Sequence, residues 1–96
     1  MENGELVRRY TVKLNKRARK GLSDLAGNRR REAERLLDDF LPVTPLTRVP
    51  GKVKKLADAF ARLGYLQYDL PDGYRMWYYV DQRAMVVYVV YIGPHP

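Results

Sequence analysis

From Tyr65 onward the chain has room for little except strands, and this limits the folds open to everything before it. Residues Tyr65 to Leu70 alternate apolar and polar, Pro71-Asp72-Gly73 reads as a turn, and Tyr74 to Val80 alternate again. Asp81 to Ala84 turn once more, and Met85 to Ile92 are almost wholly β-branched or aromatic. Gly93-Pro94-His95-Pro96 then stops the strand. Three strands in quick succession make an antiparallel meander, and such a sheet needs a cover on its apolar face.

The upstream half supplies that cover. Leu6 to Leu14 end in alternation, with Tyr10, Val12 and Leu14 on one side, and predict a half-buried strand. Asn15 is a good helix cap, and Ala18, Leu22, Leu25 and Ala26 follow at helical spacing. Gly21 weakens that helix, and Gly27-Asn28 is expected to end it. A second helix carries Ala33, Leu36, Leu37 and Phe40 on one stripe, with Arg29, Arg30, Arg31 and Arg35 near its start, where they oppose the helix dipole. Pro42, Pro45 and Pro50 make the next stretch an ordered loop, and Lys52 to Leu63 is read as a short helix. The expectation is one α+β domain over residues 1–96: a strand, a helical hairpin and a three-stranded meander, with the helices on one face of the sheet.

Charge narrows the partners. The net charge is +7, yet beyond Arg62 only Arg75 and Arg83 oppose Asp69, Asp72 and Asp81, so the basic excess lies wholly in the first 62 residues. That asymmetry suits a polyanion or an acidic protein segment, although basic surfaces also serve solubility alone. With no cysteine there are no disulfides, thiolate metal sites or thiol nucleophiles, and a cytoplasmic setting is expected. The acidic start Met1-Glu2-Asn3-Gly4-Glu5 does not read as a signal peptide, and no apolar run is long enough to span a bilayer.

Closing the hairpins with the shortest turns pairs Leu70 with Tyr74, so Asp69 faces Arg75 and Gln67 faces Trp77. The same rule pairs Val80 with Met85, so Trp77 faces Tyr88 and Arg75 faces Val90. One sheet face, meant for the helices, then holds Leu66, Tyr68, Leu70, Tyr74, Met76, Tyr78, Val80, Val87, Val89 and Tyr91. The other holds Gln67, Asp69, Arg75, Trp77, Tyr79, Tyr88 and Val90. His95, the single histidine, lies just past the last strand at the end where Arg75 sits.

That combination fits cleavage of RNA without a metal. A guanidinium binds phosphate in a planar fork, an imidazole titrates near neutrality, and aromatic rings accept unstacked bases. Each residue has a plainer reading. Arg75 reads equally as the cross-strand partner of Asp69, His95 as a solvated tail residue, Trp77 and Tyr88 as packing, and Lys52, Lys54 and Lys55 as a solvated helix face.

The segment Asp72-Gly73-Tyr74-Arg75-Met76-Trp77-Tyr78-Tyr79-Val80-Asp81, followed by Val86 to His95, resembles the signature of RelE/ParE-type toxins. Gly51-Lys52-Val53-Lys54-Lys55-Leu56 is similar to the lysine-rich stretch ahead of that family's second strand. The resemblance implies a ribosome-dependent messenger-RNA endonuclease needing no cofactor, acting in the A site and neutralised by an antitoxin in a hetero-oligomeric complex. It implies that Arg75 contacts the scissile phosphate and that His95, at a position held by His in YoeB-like members, is the general acid. The lysine pair of RelE falls on Leu66 and Tyr68, and the YoeB-like glutamate base falls near Lys54. Lys52, Lys54 and Tyr79 stand in as candidates for the missing base, while Lys52, Lys55, Gln67, Trp77 and Tyr88 are candidates for binding RNA. The alternatives are a ParE-like poison of DNA gyrase, which needs no acid–base pair, and an inactive module binding RNA or antitoxin.

Overall fold

A computed structural model describes residues 9–47, the backbone of 53–55, and residues 64–95. The elements run β1 (Thr11–Leu14), α1 (Lys16–Ser23), α2 (Gly27–Arg35), β2 (Val53–Lys55), β3 (Leu66–Asp69), β4 (Tyr74–Asp81) and β5 (Val86–Pro94). A wider helical turn, Leu36–Phe40, extends α2. The strands form one mixed sheet in the order β1-β5-β4-β3-β2, with β1 parallel to β5 and the other neighbours antiparallel. The expected α+β architecture holds, with the meander flanked by a strand on each side.

The Asn15 side chain accepts from the Ala18 amide at 2.8 Å and starts α1 as the sequence predicts. The break between the helices falls earlier than expected, at Asp24–Ala26, and Gly27-Asn28 opens α2 instead of closing α1. Gly21 has a packing reason to be there. A Cβ on it would sit 1.8 Å from the Ile92 carbonyl oxygen, so α1 rests directly on the backbone of β5. Ala18, Leu25, Ala33, Leu36 and Leu41 pack with Leu66, Tyr68, Met76, Tyr78, Val87, Val89 and Ile92 in one buried cluster beneath the helices.

The arginines of α2 are spent on structure. Arg29 lies over the Tyr74 ring at 4.2 Å, with its Nε 3.3 Å from Asp72, although buried and without hydrogen-bond geometry. Arg30 pairs with Glu34 and donates to the Leu22 carbonyl at the end of α1. Arg35 binds Glu32 and reaches the Tyr68 hydroxyl, which ties α2 to β3. Opposition to the helix dipole is offset by these partners.

The stretch after Pro50 and the last hairpin also depart from expectation. Lys52 to Leu63 is not one helix. Val53–Lys55 is an edge strand pairing antiparallel with β3, whose outer hydrogen-bonding groups would otherwise lack partners, while Lys52 and residues 56–63 lie outside the described residues. The β4–β5 register also differs. Gln82 to Met85 form a four-residue connection in which the Asp81 carboxylate accepts from the Ala84 amide and Met85 takes a left-handed φ of 58°. That sets Asp81 opposite Val86, displacing the register by two residues. Trp77 pairs with Tyr91 but Tyr78 with Val89, so Val90 is a bulge and the shift becomes three.

Candidate active site

The bulge decides which side chains share the open face. Without it Tyr91 would point under the helices with Val87 and Val89; with it Ile92 takes that place, 2% exposed, and Tyr91 joins Trp77. Their rings lie 5.1 Å apart. The shift also moves Arg75 away from Val90, its expected neighbour, to a position opposite Gly93, two residues before His95. The error in register therefore brings the two residues nearer in the ladder than the sequence suggests. Both lie on accessible ground: Arg75 is half-buried and His95 is exposed, with no hydrogen bond between them.

The hairpin from β3 to β4 follows the expected register, with Gln67 opposite Trp77 and Asp69 opposite Arg75. Yet Asp69 accepts from Gln67 Nε2 at 2.7 Å, and among the described residues the Arg75 guanidinium makes no salt bridge. Gln67 is 1% exposed, so it does not present an amide to the open face as expected. Its oxygen accepts from the Trp77 indole at 3.0 Å while its nitrogen holds Asp69, which fixes both neighbours.

Tyr91 and Arg17 are the residues that sequence reasoning missed. The Arg17 guanidinium lies over the Tyr91 ring, 4.5 Å from its centroid. The Tyr91 hydroxyl donates to the Pro94 carbonyl. A Cβ at Gly93 would meet that hydroxyl at 2.8 Å, so the phenol occupies the space left by the glycine. This brace holds the tail next to Arg75. Glycine and a tyrosine two residues before it were visible in the sequence, but only the bulge puts them on this face.

Further along β4, Tyr79 stacks on Tyr88 at 5.0 Å and lies 5.2 Å from Tyr65. Tyr88, expected to face Trp77, faces Tyr79 instead. Burial, then the neighbouring Tyr65, Tyr88 and Asp81, raises the Tyr79 phenol above its ordinary range. A phenol kept neutral donates hydrogen bonds, which weakens Tyr79 as a stand-in base. The backbones of Lys54 and Lys55 lie opposite Gln67 and Leu66. Among the described residues no cluster of three His, Asp or Glu side chains could hold a metal, and no helix is long and apolar enough to cross a membrane.

Neither family models nor curated proteins gave a match. Solved structures did. The toxin–antitoxin complex RelBE2 of Mycobacterium tuberculosis aligns with a TM-score of 0.71 at 22% identity, over 92% of this chain and 93% of that one. The isolated RelE toxin of E. coli gives 0.67 at 24%, over 91% and 85%. The archaeal RelE–RelB complex of Pyrococcus horikoshii gives 0.57 at 23%, over 90% and 94%. At these identities the likeness speaks for architecture, and it extends over nine-tenths of the chain: the chain has the RelE fold.

Proposed function

We propose that this chain is the toxin of a type II toxin–antitoxin pair and an endoribonuclease that cleaves messenger RNA, in the ribosomal A site, without a metal. The observation that carries the reading is the placement of Arg75 opposite Gly93, beside the His95 tail, on a face that also bears Trp77 and Tyr91. In the reaction the ribose 2′-hydroxyl attacks the adjacent phosphorus and the bond to the 5′-oxygen of the next nucleotide breaks. Arg75 holds the non-bridging oxygens as their charge grows, and His95 gives a proton to the leaving oxygen. Lys52 and Lys54 are the remaining candidates to take the 2′ proton. The cognate antitoxin is the partner, as in the complexes whose toxins share this fold.

Induction of the chain in growing cells, with transcript ends mapped by primer extension, tests this. New ends within coding sequences, absent for Arg75→Ala and His95→Ala, are the expected result. Growth arrest with intact messages, unaltered by His95→Ala, would overturn the nuclease reading and point to a gyrase poison.

A further inference from the structure

The tyrosine end of the open face is separate from the Arg75 end. Arg75 and Tyr79 lie on one face of β4 about 13 Å apart, at ~3.3 Å per residue. Around Tyr79 there is an open cleft of about 390 Å³, lined by Lys13, Asn15, Tyr65, Tyr79, Tyr88 and Val90. Its floor is continuous aromatic surface, because the rings of Tyr65, Tyr79 and Tyr88 succeed one another at 5.2 and 5.0 Å. At its rim, Lys13 of β1 lies directly opposite Tyr88 of β5 and is exposed. The catalytic reading uses none of this.

We infer that this cleft is a second nucleotide subsite, where a base of single-stranded RNA stacks on the tyrosine floor while the Lys13 ammonium meets the adjoining phosphate. The size is right for one nucleotide, at the small end of the ~300–1,000 Å³ of ligand clefts. Aromatic faces accept any base, and a lone lysine supplies charge without sequence readout. Leu14, Val89 and Val90 complete the lining beneath the rings, and the exposed Lys13 ammonium at the rim complements a phosphate next to a stacked base. The inference rests on the ribonuclease reading: the RNA cut at Arg75 continues along β4, and the cleft grips a nucleotide beyond the cleaved bond.

Binding of a fluorescent single-stranded RNA 12-mer to the full chain carrying His95→Ala, which blocks turnover, tests it. Tyr88→Leu should weaken binding about tenfold, within the range of one lost base stack. Lys13→Ala should lower the slope of log affinity against log salt by about one. Lys13→Glu, at an exposed position, repeats the charge test where Tyr88→Leu fails to fold, as judged by circular dichroism. Unchanged 12-mer binding and salt slope in folded variants overturn the subsite, even if messages are still cut. Loss of antitoxin affinity with RNA binding intact overturns it in favour of a protein surface. Cleft-dependent RNA binding without message cleavage keeps the subsite and removes the nuclease.

Discussion

The Tyr91 hydroxyl donates to the carbonyl of Pro94, and its phenol fills the space above Gly93, the residue opposite Arg75. The imidazole of His95 thus starts from a fixed carbonyl. Tyr91→Phe keeps the ring against Trp77 and Arg17 and removes only this bond. Cleavage should fall about tenfold, part of the ~10²–10⁴ that a positioned acid contributes, with KM for RNA unchanged. A kcat equal to that of the parent chain would show that the brace does not position His95.

Arg75 is accessible and makes no salt bridge among the described residues, so its removal should separate activity from stability. Arg75→Ala should lower cleavage by about 10²–10³, the effect of losing one strong donor to a developing anion. The urea midpoint should move by no more than about 0.5 kcal/mol equivalent, as for other surface changes. Arg75→Lys should restore only part of the rate, since an ammonium lacks the planar fork. Full activity in the alanine variant would remove Arg75 from the reaction.

Glycine to alanine inside a helix ordinarily stabilises by about 1 kcal/mol. At Gly21 the sign should reverse, because the new methyl would lie 1.8 Å from the Ile92 carbonyl oxygen and α1 would have to lift from β5. A loss of about 3 kcal/mol is expected, at the upper end for overpacking, together with weaker cleavage as the end of β5 shifts. Thermal unfolding of Gly21→Ala measures it, and a gain in stability would refute the close approach.

Burial raises the phenol pKa of Tyr78, Tyr68 and Tyr79 above the ordinary value of 10.0, most strongly for Tyr78, whose hydroxyl donates to the Pro45 carbonyl. A folded pKa above the unfolded one contributes stability that is complete at lower pH and lost as pH rises. Urea midpoints should therefore be flat through neutrality and fall above about pH 10. Tyr78→Phe should cost about 1 kcal/mol at pH 7 through the lost hydrogen bond and flatten the alkaline fall. An equally steep fall in that variant would assign the effect to other groups.

The alternation in the sequence carries the helix-facing side of β3 and β4, the cap at Asn15 and the Gln67–Trp77 and Asp69–Arg75 pairs. These depend on local geometry and one short turn. The β4–β5 register does not, because a four-residue connection over 81–84 or over 82–85 satisfies the same pattern, and the left-handed Met85 is no turn signature. Val90 could not be recognised as a bulge for the same reason: in an unbroken run of β-branched and aromatic residues no position announces itself as extra. Read as unbroken, the run puts Tyr91 on the wrong face, and the Arg17 contact depends on where Tyr91 lies. The short β2 lies in a stretch where Val53, Leu56, Phe60 and Leu63 are spaced for a helix, whereas the unpaired edge of β3 is a tertiary demand.

The strand synthesised after all the other described ones, β5, takes the place between β1 and β4. Until it emerges, the nascent chain consists of two separate pieces with raw edges and no platform under α1. Pairing Thr11 with Val86 closes a long loop, so folding should be slow and all-or-nothing in this step. A chain cut short of β5 would have neither the common core nor an Arg75–Gly93 ladder, so the candidate site and the fold arrive together with the same strand.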